Sequence, residues 1–229
     1  VSIFAIGDLH LPGGDKKPMD VFGAHWERHF ERICADWQSR VKPEDIVLIP
    51  GDISWAMQLG DALNDLREIA KLPGTILLLR GNHDYWWSSL SQLRACLPEN
   101  MHAVQNDAFD AGECVFCGTR GWTIPLGQNA TAQDEKLYRR EAMRLEMSLK
   151  DAARMADGRP IFAMMHYPPL LPETLAAMRH IVNADPKKIF SFTLGDAGRR
   201  QLAHVCEDYT ATQLERGFAS LDYWKKVKD

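Results

Sequence analysis

The sequence is short of several things that would each point to a familiar class of protein. Its five cysteines (Cys34, Cys96, Cys114, Cys117, Cys206) are odd in number and scattered. That argues against a disulfide framework and for a reducing compartment. Cys114 and Cys117 form one Cys-x-x-Cys, but no second Cys or His pair stands at zinc-finger spacing, and "ECVFCGT" alternates as a strand does. Basic charge is not in excess: 27 Lys and Arg face 31 Asp and Glu, a net charge of -4. No global positive field recruits nucleic acid or anionic lipid, and no Lys/Arg cluster adjoins the motifs below, so a nuclease is disfavoured. No apolar run approaches the roughly 18 residues that a membrane span needs, and the opening "VSIFAIGDLH" has no signal-peptide pattern. A cytoplasmic protein that does not engage the membrane is expected. Repeats, low-complexity linkers and composition breaks are missing too, so one domain over 1–229 is the simplest reading.

What is present is an alternation of short apolar runs and amphipathic stretches. Val1–Ile6, Ile46–Ile49, Ile76–Leu79 and Ile161–Met165 read as buried strands. Trp26, Phe30, Ile33 and Trp37 share one helical face, as do Leu59, Leu63, Leu66 and Ile69. A short helix is expected through Leu90, Leu93 and Leu97, capped by Ser88 or Ser89, and a long one over Asp134–Ala156. "NDAFDAGECVFCGTRGW" reads as two strands joined by a turn at Asp110-Ala111-Gly112. The fold class is α/β, with strands enough for more than one sheet.

Each strand runs into polar residues of one chemical kind. The ends are Gly7-Asp8-Leu9-His10, Gly51-Asp52, Gly81-Asn82-His83-Asp84 and His166-Tyr167-Pro168-Pro169. Ligands of open α/β sheets bind outside the carboxyl ends of strands, where glycine lets the chain turn sharply. Asp8, His10, Asp52, Asn82 and His166 offer mixed oxygen and nitrogen donors, suited to Mn, Fe, Zn or a related divalent ion. Five donors exceed the needs of one catalytic zinc and suit two ions sharing a carboxylate.

The order Asp8-x-His10, Gly51-Asp52, Gly81-Asn82-His83-Asp84, His166 resembles the calcineurin-like metallophosphoesterases. "KPMDVFGAHWERH", "LIPGDISWAM", "RGNHDYWWSS", "CGTRGWT" and "MMHYPP" extend the likeness to a bacterial branch of predicted phosphohydrolases, over Val1 to Pro169. The resemblance implies a four-layer sandwich of two β sheets flanked by α helices. It implies a small phosphorylated substrate, a phosphomonoester or phosphodiester, and two divalent ions (Mn, Fe, Zn or Mg). Asp8 and His10 would bind the first ion, Asp52 would bridge, and Asn82 and His166 would bind the second. A hydroxide activated by the ions would attack phosphorus. His83 would protonate the leaving oxygen, and Asp84 would orient His83. Arg120, between two glycines in "GTRGWT", is a candidate for binding the phosphate. Trp86 or Trp87 is the candidate wall for the leaving group, with Trp55 and Trp122 near by in the motifs, and His25 is a further residue within reach.

One departure stands out. The family's late Gly-His-x-His is missing; after His166 the histidines are His180 and His204. In its place "KKIFSFTLGDAGRR" reads as a strand, Ile189–Leu194, ending on Gly195-Asp196-Ala197-Gly198. Either the tail, about 172–229, has diverged, or a reading-frame change after about Pro172 has replaced it. Asp196, at the first His position, and His204 are the candidates to replace the lost ligands; without them the metal site is weakened or reshaped. The alternative function is a degenerate member that binds a metal or phosphorylated ligand without turnover.

Overall fold

The computed structural model describes residues 1–13, 19–125 and 131–214. The chain packs as two compact units, Val1–Pro169 and Leu170–Asp229. The first holds every strand found among the described residues. β1 (Ile3–Ala5), β2 (Ile46–Ile49), β3 (Thr75–Leu78) and β4 (Met101–Ala103) form a parallel sheet in that order. β5 (Ala108–Asp110), β6 (Val115–Thr119) and β7 (Ile161–Met165) form a second sheet, antiparallel between β5 and β6 and parallel between β6 and β7.

The consecutive order of the first sheet decides the layering. Right-handed crossovers between neighbouring parallel strands put their helices on one face. Those helices are α1 (His29–Arg40), α2 (Leu59–Ile69) and α3 (Leu90–Cys96). Side chains alternate across each strand, so Val47, Ile49, Ile76 and Leu78 meet Trp37, Leu66, Ile69 and Leu93 of the helices. Ile46 and Leu77 point the other way, against Phe116 and Met164 of the second sheet. Val115 and Cys117, on the far face of β6, meet Ala152 and Ala156 of α4 (Ala132–Ala156). The result is the expected four-layer α/β sandwich: helices, sheet, sheet, helix. Cys114 belongs to the intersheet cluster and Cys117 to the helix side, so the Cys-x-x-Cys does not converge on one ion.

Local chemistry sets the helix boundaries. Ser89 caps α3 by accepting from the Gln92 N–H. Thr131 caps α4 through a reciprocal capping box with Asp134. α1 starts later than the apolar spacing suggests, because Arg28 is left-handed (φ 50°) and Trp26 lies in a separate 3-10 turn, Ala24–Trp26.

The second unit carries α5 (Pro172–Asn183) and α6 (Asp196–Leu214). The strand expected over Ile189–Leu194 does not form. Turns occupy its approach and its start: Lys188 N–H bonds to the Asp185 carbonyl (2.7 Å), and Ser191 N–H to the Lys188 carbonyl (2.9 Å). The Asp185 side chain adds a bond from the Lys187 N–H at 2.9 Å. An Asp-Pro start of this kind favours turns over a ladder. Asp196 consequently heads a helix instead of following a strand, and its exposed carboxylate pairs with Arg199.

Leu77 is fully buried between the sheets. Leu77→Ala is expected to cost about 2–5 kcal/mol in urea unfolding. Ile161→Ala, on the partly exposed β7, is expected to cost under about 1 kcal/mol by the same measurement.

Candidate metal centre

The parallel strands deliver their carboxyl ends to one edge, and the loops there are laced together. Asp8 N–H bonds to the Gly51 carbonyl (3.0 Å), His10 N–H to Asp52 (3.0 Å), and Leu11 N–H to Ile53 (2.9 Å). Pairing of β1 with β2 thus continues past the strand ends, but through a bent backbone. Asp8, His10 and Asp52 have φ of 57°, 47° and 54°. Left-handed non-glycine residues are uncommon, and strained conformations of this kind cost on the order of 1–3 kcal/mol each. Three such residues in two loops mark a site whose geometry the surrounding structure enforces.

Two glycines allow the loops to touch. A Cβ at Gly81 would lie 2.1 Å from Asp52 Oδ1 and 2.2 Å from its amide nitrogen. One at Gly51 (φ 106°) would lie 2.6 Å from the Gly81 Cα and 2.8 Å from His166 Nδ1.

Asp84 closes the arrangement, though not in the manner expected of it. Its carboxylate does not brace the His83 ring. Oδ2 accepts from the N–H groups of Asp52 (2.9 Å) and Gly81 (2.7 Å); Oδ1 accepts from Ile53 (2.9 Å), Ser54 (3.3 Å) and the Trp86 indole (3.1 Å). Asp84 is fully buried. Burial pushes its carboxyl above the usual range, and the bonds from the Gly81, Ile53 and Ser54 amides pull the other way. The loops after β2 and β3 are therefore cross-tied through a side chain to peptide groups.

The donor atoms converge around Asp52. Ligand atoms of Asp8, His10 and Asp52 all lie within 4.8 Å of one another. Asp52 divides its oxygens: Oδ2 is 3.9 Å from His10 Nε2, and Oδ1 is 3.6 Å from His166 Nε2. Asp8 Oδ1 lies 3.7 Å from His10 Nε2, and the neighbouring histidines, His10 foremost, hold the Asp8 carboxyl below its ordinary range. On the other side, His166 Nδ1 donates to the Pro50 carbonyl at 3.0 Å. In the neutral ring that leaves the Nε2 lone pair facing Asn82 Oδ1 at 2.6 Å. Both atoms are of the kind that a divalent cation takes as ligands. The oxygen and imidazole donors fit the group that the sequence implies.

His83 stands at the rim, partly exposed, with its amide N–H bonded to Asp52 Oδ1 at 2.8 Å. Its buried Nδ1 has no hydrogen-bond partner among the described residues. The aromatic surroundings differ from expectation. Trp86 and Trp87 are each 1% exposed and belong to the core. Trp55 takes the position beside the site, stacked on His10 at 4.9 Å and 4.8 Å from His83, with Tyr85 at 6.2 Å from His83. Arg120 lies over the Trp122 ring at 5.1 Å, and its carbonyl receives the His166 N–H at 3.2 Å. The His25 side chain lies outside the described residues.

A two-sheet α/β protein thus gathers carboxylate, amide and imidazole groups at its strand ends, with Asp8, His10 and Asp52 close enough to serve as ligands of one metal ion. The chain belongs to the calcineurin-like phosphoesterase family, whose sequence profile matches residues 1–206. None of the curated proteins matches. Among solved structures, a protein of unknown function from Aquifex aeolicus, AQ665, is 18% identical, with 71% of this chain and 89% of that chain covered and a TM-score of 0.38. The phosphopantetheinyl hydrolase PptH from Mycobacterium tuberculosis is 15% identical, with 74% and 69% covered and a TM-score of 0.40.

Asp84→Asn would set an amide N–H against the backbone donors on one side. It is expected to cost about 3–5 kcal/mol in thermal or urea unfolding. His83→Ala is expected to change stability by less than about 1 kcal/mol; equal costs for the two would contradict the tie described for Asp84.

Proposed function

We propose that the protein is a metal-dependent phosphohydrolase acting on a small phosphomonoester or phosphodiester. The observation that carries this reading is the Asp52 carboxylate, which turns one oxygen to His10 and the other to His166. That is the disposition of a ligand shared between two cations.

In this reading Asp8, His10 and Asp52 would hold one divalent ion, and Asp52, Asn82 and His166 would hold the second. Bound ions supply Lewis acidity toward the phosphoryl oxygens and lower the pKa of water at the centre. Pro50 fixes the His166 tautomer that presents Nε2 inward. His83, at the rim and backed by Trp55 and Tyr85, faces the substrate and gives a proton to the leaving oxygen. Trp55 and Tyr85 offer ring surface to the leaving group.

A second reading has one specific support. The Gly-His-x-His motif is missing from the sequence, and Asp196 heads α6 as an exposed partner of Arg199. A chain short of these ligands holds one ion, or turns over slowly. Elemental analysis separates the two readings: two ions per chain support the hydrolase, and one or none supports the degenerate form.

Manganese is expected to stimulate hydrolysis of p-nitrophenyl phosphate or its bis ester. Asp52→Asn is expected to abolish that activity, and His83→Ala to lower kcat about 10²–10⁴-fold. A metal-loaded chain that cleaves neither ester would sink the hydrolase reading.

A further inference from the structure

On the intersheet side of the strand ends lies a cleft of about 320 Å³ that shares no lining residue with the metal cluster. Arg80, Arg120, Arg140 and Arg144 line it, together with a single carboxylate, Glu141. Glu141 is 2% exposed and heavily subscribed. Its Oε1 lies 2.7 Å from Arg144, 3.4 Å from Arg140 and 3.9 Å from Arg120, while Oε2 accepts from Thr119 Oγ1 at 2.7 Å.

The donors outnumber the acceptors by a wide margin. Each guanidinium carries five N–H donors, and one carboxylate offers about four lone-pair sites. The excess is most acute at Arg80, whose buried Nε has no acceptor among the described residues. An unpaired buried donor of a charged group is costly, and an anion in the cleft would satisfy it. Planar guanidinium forks suit phosphate oxygens particularly well.

We propose that this cleft is an anion site that takes a phosphate-class dianion, either free inorganic phosphate or a second phosphoryl group of the substrate. The second source rests on the phosphohydrolase reading; the site itself does not. The cleft is joined to the metal centre through the main chain. Arg80 precedes Gly81, whose N–H is held by Asp84 (2.7 Å), and the Arg120 carbonyl receives the N–H groups of His166 (3.2 Å) and Tyr167 (2.9 Å).

The test is calorimetric titration of the whole chain with inorganic phosphate in the presence of a chelator. Saturable binding is expected. The double substitution Arg140→Ala, Arg144→Ala, on the partly exposed flank of α4, is expected to weaken it at least tenfold, and Asp52→Asn to leave it intact. Arg144→Lys, which keeps the charge and loses the fork, is expected to fall between; circular dichroism checks that each variant is folded. Absence of binding under chelation overturns the proposal, as does binding that Asp52→Asn abolishes and the double substitution spares. In the manganese-loaded chain the two sources separate. A distal-phosphate role raises KM for a two-phosphate ester more than tenfold beyond the effect on p-nitrophenyl phosphate, and a free-phosphate role gives equal effects on both. If neither ester is hydrolysed, the titration still decides the cleft.

Discussion

The Asp84 carboxylate is the tie on which the candidate metal site depends. It gathers N–H groups from the loop after β2 and the loop after β3, 30 or so residues apart in sequence, into one buried acceptor. This contact holds Asp52 where its own oxygens can serve two histidines. It also helps maintain the left-handed residues, since a strained φ persists only where neighbouring bonds over-determine it. Gly51 and Gly81 make the tie possible by letting backbone approach backbone. Preorganisation of this sort suits a ligand set, because groups that must be repositioned on binding waste binding energy.

The sandwich was largely legible in the sequence because periodicity reports burial directly. Strand-length apolar runs and the spacing of Leu59, Leu63, Leu66 and Ile69 located β2, β3, β7 and α2 within a residue or two. The donor set around Asp52 was legible for a related reason: strands that end on Gly and then Asp, Asn or His advertise ligands at a shared edge. What was not legible is where a side chain points after the turn. Asp84 follows His83 in sequence, which suggests a brace, yet its bonds run to peptide groups that no side-chain pattern encodes. Trp86 and Trp87 follow the motif just as closely and turn into the core, while Trp55, on the other loop, reaches His83. Ile189–Leu194 has strand composition but follows an Asp-Pro turn, and a further turn takes the Ser191 donor.

The strand ends separate charge over very short distances. Asn82 and His83 face the acidic metal centre, while Arg80, two residues earlier, faces a cleft crowded with guanidinium groups. Arg120 and His166 repeat the pattern, joined by a hydrogen bond between main-chain atoms. Glu141 on α4 is the counterion that lets three arginines approach one another, and it is too few for the task. An opposed pair of fields so close together would draw an anion and cations to neighbouring positions on the same edge.

The left-handed backbone at Asp8, His10 and Asp52 has a consequence beyond strain. Short polar residues such as Asp, Asn and His are the ones that tolerate this conformation, and they also supply hard oxygen and imidazole donors. Glutamate or cysteine, adequate ligands in themselves, would meet the backbone penalty without the tolerance. The main chain therefore acts as a filter on ligand exchange. Drift at these positions is steered among a few residue types before any cation exerts its own preference.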